Sequence, residues 1–116
     1  MSQQYYPEWS DKFEKRRRDL APAQLEAFWN FSKAAFAEGA LPAVTKQLVA
    51  VAVAHATQCP YCINIHTKEA LRAGATEEQI LEAIWVTAEM RAGAAYAHST
   101  LAIDAINQAK AENKAA

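Results

Sequence analysis

Val49-Ala50-Val51-Ala52-Val53-Ala54 is the stretch on which the fold turns, apolar throughout with a valine at every second position. Such alternation fits a strand, and valine favours strands. Alanine, however, is the best helix former, and no other segment of the 116 residues offers a partner strand. The stretch therefore predicts a helix, and the chain an all-α fold.

Outward from it, the punctuation is that of helices. Glycine stands only at 39, 74 and 93, and there are four prolines, which suits long helices joined by short turns. Ser10 caps a first helix over Asp11 to Leu20, and Pro22 suits the first turn of a second. The second runs to about Glu38, with Gly39 as its left-handed stop. Pro42 opens a third helix, through the valine stretch. Pro60 restarts the chain as a fourth, because a mid-helix proline loses a hydrogen bond and clashes with the preceding turn. Gly74 ends that one. Thr76-Glu77-Glu78-Gln79 is a capping box opening a fifth, whose Ile80, Leu81, Ile84, Trp85 and Ala88 follow amphipathic helical spacing. A sixth is expected from about Ala94 to Lys110, with a fraying tail to Ala116.

Charge narrows the function. Twelve basic and thirteen acidic residues give a formal net charge of -1, which makes no electrostatic case for nucleic acid. The Arg16-Arg17-Arg18 cluster is interspersed with Asp11, Glu14 and Asp19 and reads as a solvated helix face. From Gln47 to Thr67 the chain carries no Asp, Glu, Lys or Arg. Its strictly apolar part, Leu48 to Ala54, is far short of the roughly 20 residues a bilayer requires, so the expectation is a buried segment rather than a membrane span. Met1 to Glu8 lacks the apolar core of a signal peptide. The expected location is the cytoplasm, where a cysteine pair is catalytic, redox-sensing or metal-binding.

Within the uncharged segment lies His55-Ala56-Thr57-Gln58-Cys59-Pro60-Tyr61-Cys62-Ile63-Asn64-Ile65-His66, which holds the chain's only two cysteines. Cys59 and Cys62 are close enough in sequence to form a disulfide. His66 sits one helical turn beyond Cys62, and Cys59 falls at the N-terminus of the helix that Pro60 opens. Unpaired N–H groups and the macrodipole favour a thiolate there. His55 lies one turn earlier, so spacing alone assembles a polar line of Gln47, His55, Cys59, Cys62 and His66. A free thiol with a pKa of about 8.5 is a few per cent thiolate at neutral pH, and lowering it by about two makes most of it thiolate. That change is worth about 2.7 kcal/mol, within reach of one imidazolium contact plus a helix terminus. Helix geometry leaves the two cysteines unranked, since the terminus favours Cys59 and His66 favours Cys62.

The same residue types also serve other chemistry. Haem attachment needs His directly after Cys62, where the chain has Ile63. Zinc could take His55, Cys59, Cys62 and His66, yet on one continuous helix the outer two stand about 16 Å apart, so a sharp bend at Pro60 is required. Two buried structural thiols with two satisfied histidines form the plainest alternative.

The stretch Thr45-Lys46-Gln47-Leu48 through Cys59-Pro60-Tyr61-Cys62-Ile63-Asn64-Ile65-His66, then Ala70, Gly74, Ala75 and Glu78, resembles the alkylhydroperoxidase core of the carboxymuconolactone decarboxylase family. The resemblance covers about residues 40 to 105 of a single domain (1 to 116), leaving an N-terminal helical extension over about 1 to 40. It implies an alkylhydroperoxidase-like helical bundle of about six helices, assembled as a trimer or hexamer. It also implies reduction of a hydroperoxide by the cysteine pair, with regeneration by a thiol, thioredoxin-like or lipoyl-type donor and no cofactor or metal. Carried over, Cys62 attacks the peroxide, Cys59 resolves it and His66 activates Cys62. Family members commonly carry a glutamate twelve residues before the first cysteine as part of a proton relay. Here that position is Gln47, which cannot accept a proton, and His55 is the nearest substitute. A non-catalytic redox sensor or disulfide-exchange protein is the alternative, and a cofactor-free lyase of the decarboxylase branch a more distant one. Trp9, Trp29, Trp85, Phe28 and Phe36 are a large aromatic load, which agrees with an oligomer. Tyr96 and His98 read as structural.

Overall fold

The computed structural model describes residues 5 to 115; Met1 to Gln4 and Ala116 lie outside the described residues, and with them the first half of the polar start and the last residue of the tail. The described residues form five helices and no strand: α1 (Asp11–Leu20), α2 (Pro22–Phe36), α3 (Ala43–Thr57), α4 (Pro60–Arg72) and α5 (Glu77–Ala115). The valine-alanine stretch is helical and lies in the middle of α3.

Five helices replace the expected six because α5 runs unbroken for 39 residues through Gly93. A helical glycine costs only about 1 kcal/mol relative to alanine, and the neighbouring Ala92, Ala94 and Ala95 hold the helix across it. The expected fraying tail is accordingly helical through Ala115. A second correction falls at the end of α2. That helix stops at Phe36 with Ala37 as its cap, and Gly39 is not left-handed; Gly74, at φ 104°, is the glycine with positive φ among the described residues. The end of α2 is closed by another device, the Lys46 ammonium of α3 donating to the carbonyls of Ala35 and Ala37. A cation suits the negative end of a helix. Ser10 caps α1 through its backbone carbonyl, which accepts from Phe13 and Glu14, while its hydroxyl makes no cap bond.

The capping box forms as expected: the Thr76 N–H donates to Gln79 Oε1 at 2.9 Å, and the Gln79 N–H donates to Thr76 Oγ1 at 3.0 Å. Thr76→Ala is expected to cost about 1 kcal/mol, seen as a lower urea midpoint at unchanged slope.

Val51, Ala70, Ala75 and Ile80 form the core, with Val44, Leu48 and Ile84 packed against it. It joins α3, α4 and the first turns of α5. Two polar side chains pin α5 to the end of α3: the buried Thr87 donates to the Ala52 carbonyl at 2.8 Å, and Arg91 donates to the Ala56 carbonyl at 2.6 Å. By contrast, α1 and α2 bury no residue. They lie against each other through Trp29 Nε1, which donates to Glu14 at 2.7 Å. The arginine cluster is a solvated face, with Arg17 pairing with Glu14 and lying over the Trp9 ring. Ahead of α1, the Pro7 carbonyl accepts from the Tyr61 hydroxyl, and Tyr6 and Trp9 meet the Tyr61 ring edge-on. No helix among the described residues is long and apolar enough to cross a membrane.

Candidate active site

The site is built at the junction of α3 and α4. Gln58 adopts left-handed geometry (φ 57°, ψ 47°) and ends α3, after which the Cys59 N–H returns to the Ala54 carbonyl. Cys59 is extended (φ -98°, ψ 105°) and Pro60 begins α4, its fixed φ matched to a first helical position. The two helices thus form a hairpin with Cys59 at its turn and Cys62 in the first turn of α4. Their Sγ atoms stand at disulfide distance, with Cα atoms 5.3 Å apart. Cys59 Sγ is also the N-cap group of α4, accepting the Cys62 N–H at 3.2 Å. A first-turn N–H that donates to sulfur favours the thiolate at Cys59 once the pair is reduced.

Cys62 faces a different environment. It lines a cavity of about 440 Å³ together with His66, Phe36, Leu41, Val49 and Val53, and Cys59 is not among the lining residues. The cavity wall is nearly all hydrocarbon. Lys46 is its one cationic lining residue, and that ammonium is engaged with the end of α2. His66 Nδ1 lies 2.9 Å from Gln47 Oε1 of α3. The Phe36 ring stacks on the imidazole, with centroids 5.1 Å apart and planes 15° from parallel. The imidazole is therefore fixed in its plane by one neighbour and across its face by another.

Cys59, Cys62, His66 and Gln47 are thus brought together, whereas His55 is not joined to them. Its Nδ1 bonds the Val51 carbonyl of its own helix at 2.8 Å, and it does not line the cavity. Among the described residues no three His, Cys, Asp or Glu side chains are grouped closely enough to share a metal ion; the bend at Pro60 does not gather His55, Cys59, Cys62 and His66. His98 bonds the Ala94 carbonyl of its own helix and Tyr96 is largely exposed, both away from the cavity. Phe36 is the residue that sequence reasoning missed at the site. Its aromatic character was legible, but its position over His66 depends on how α2 packs on α3.

The fold is shared with known proteins. Residues 22–105 match the model of the carboxymuconolactone decarboxylase family, and the chain belongs to that family. It is 63% identical over 83 residues to a Paracoccus denitrificans protein named "Uncharacterized protein 4 in cox locus", covering 72% of this chain and 75% of that one. It is 45% identical over 89 residues to an uncharacterized protein of Cupriavidus necator, covering 74% and 79%. Two crystal structures share the fold. A protein from Methanobacterium thermoautotrophicum superposes with TM-score 0.68 at 38% identity, over 72% of this chain and 93% of that one. A carboxymuconolactone decarboxylase family protein from Legionella pneumophila superposes with TM-score 0.65 at 34% identity, over 69% and 71%.

Proposed function

We propose that the protein is a thiol-dependent hydroperoxide reductase. The observation that carries this is the division of the cysteine pair. Cys62 and His66 line one apolar cavity, while Cys59 lies outside that lining at the helix terminus. A hydroperoxide with an organic tail enters the cavity and meets Cys62. His66 takes the thiol proton, and the Cys62 thiolate attacks the terminal peroxide oxygen. A sulfur–oxygen bond forms as the oxygen–oxygen bond breaks, and the departing alkoxide leaves as alcohol with the proton from His66. Cys62, oxidised by two electrons to the sulfenic acid, is attacked by Cys59. The disulfide forms and the hydroxyl leaves as water with the Cys59 proton. An external dithiol of thioredoxin or lipoyl type then reduces the disulfide by exchange, becoming a disulfide itself.

Gln47 favours a second reading. Its amide cannot carry a proton, which suits a redox sensor or disulfide-exchange protein that cycles slowly. The lyase reading has less support, because a dicarboxylate would find Lys46 engaged with two carbonyls. The protein works as a homo-oligomer, supported by the surface argument in the Discussion.

The test is consumption of an organic hydroperoxide with dihydrolipoamide or thioredoxin as donor. His66→Ala is expected to lower turnover by about 10²-fold, the usual cost of losing a general acid–base. His55→Gln is expected to stay within about threefold of the wild type, because its ring is tied to α3 and not to the reacting sulfur. A 10²-fold loss in His55→Gln would instead make it the proton shuttle. No consumption with either donor would leave the sensor reading.

A further inference from the structure

We propose that Gln47 is a positioning residue that keeps a hydrogen on Nδ1 of His66, so that Nε2 is the nitrogen that exchanges a proton with Cys62. The mechanistic consequence rests on the peroxidase reading; the tautomer does not. Two nitrogens of a neutral imidazole cannot both be donors, and the partner of one sets the role of the other. His66 Nδ1 is 2.9 Å from Gln47 Oε1. An amide oxygen only accepts, so the ring nitrogen facing it carries the hydrogen. The lone pair is then left on Nε2, at the opposite side of the ring. Phe36 stacked on the imidazole restrains rotation of the ring out of this bond.

The choice of an amide has a second consequence. A carboxylate at the same place would attract the imidazolium and favour its charged form. Gln47 orients the ring without supplying that charge. The other groups around His66 do not replace it. From α2 comes the Phe36 ring; from α3, besides Gln47, comes Lys46, whose ammonium is bonded to the Ala35 and Ala37 carbonyls; from α4 comes Cys62; and no α5 residue lines the cavity. The hydrogen bond therefore orients the base without placing a charge beside it. His66 accepts one proton from the thiol and returns it to the leaving alkoxide, and no second proton passes through position 47.

Nitrogen-15 NMR of the histidine rings in the oxidised wild-type protein, near neutral pH, reads the tautomer directly. The expected spectrum for His66 has a protonated Nδ1 and a bare Nε2. In Gln47→Leu that signature gives way to a mixture of tautomers. Gln47→Glu keeps the Nδ1–H bond, because a carboxylate oxygen also accepts. In a reduced Cys59→Ser background, Gln47→Leu slows alkylation of Cys62 by about fivefold, the worth of one neutral hydrogen bond, and Gln47→Glu, which keeps an acceptor for Nδ1–H, restores the rate. A wild-type spectrum with hydrogen on Nε2 would overturn the proposal, since Gln47 would then be donating through its NH₂ group. So would a Gln47→Leu spectrum indistinguishable from the wild type. Should Gln47→Leu fail to fold, the wild-type spectrum and Gln47→Glu still decide. The expected tautomer in a protein that consumes no hydroperoxide would sink the peroxidase reading and keep the assignment.

Discussion

Cys62→Ser is expected to lower dithiol-dependent hydroperoxide consumption by roughly 10³-fold or more, the scale of removing a nucleophile. Cys59→Ser should behave differently. It retains the cavity thiol and its histidine, so it reduces one equivalent of peroxide per chain and halts at the sulfenic acid. Mass spectrometry should show one added oxygen on Cys62 in that variant and none on Cys59 in Cys62→Ser. The experiment also decides between two physical effects that oppose each other at this turn. The helix terminus stabilises charge on Cys59, whose sulfur accepts the Cys62 N–H at 3.2 Å. The cavity and His66 serve Cys62. A more stable thiolate is not a faster one, because nucleophilicity falls as the thiol becomes more acidic. On the proposed function the terminus makes Cys59 a good leaving group when the reductant attacks, and substrate access gives the peroxide step to Cys62. If Cys59 gains the oxygen and Cys62→Ser keeps the first turnover, the roles are exchanged.

Local chemistry was legible in the sequence and long-range placement was not. The capping box at Thr76, the restart at Pro60 and the helical fate of Val49 to Ala54 each rest on neighbours within one or two turns. The end of α2 differs from the expectation because its determinant comes from elsewhere. Lys46, nine residues beyond Ala37, closes α2 where a glycine stop was expected. Gly93 had no local signal strong enough to break a helix flanked by alanines. At the site, the spacing of Cys59, Cys62 and His66 was readable from one helix. Gln47 is readable as a polar residue of α3, but its bond to His66 spans 19 residues and needs the α3–α4 hairpin. For the same reason His55 looked equivalent to His66 in the sequence. Each lies four residues outside a cysteine, yet one ring faces a cavity and the other its own helix carbonyl.

Trp85→Glu combined with Met90→Glu is expected to break the protein into monomers and lower its melting temperature by about 10 °C or more. A folded monomer of 12.8 kDa should expose about 6,300 Å², whereas one chain here exposes 9308 Å². The difference is several times the roughly 800 Å² per partner of a standard interface, so a single neighbour of that size does not cover it. The exposed apolar residues mark the surface that a partner copy would cover. On α5, Ile80, Ile84 and Thr87 face inward, while Leu81 with Trp85 and Val86 with Met90 flank that stripe on opposite sides. Trp85 is 71% exposed and Met90 63%. The apolar residues of α5 spread well beyond the stripe that one chain buries, and exposed apolar surface of that extent marks an interface. A second copy presents matching apolar helices, and closed symmetry lets every copy bury the same faces. Sedimentation equilibrium at micromolar concentration should therefore give a whole multiple of 12.8 kDa, three or six on the family resemblance, and the double variant should fall toward the single chain. A wild-type monomer that keeps its full helical circular dichroism would refute assembly. Because α5 holds the end of α3 through Thr87 and Arg91, dissociation should loosen the carbonyls just before Cys59. Peroxide turnover in the double variant should then fall along with its sedimenting mass.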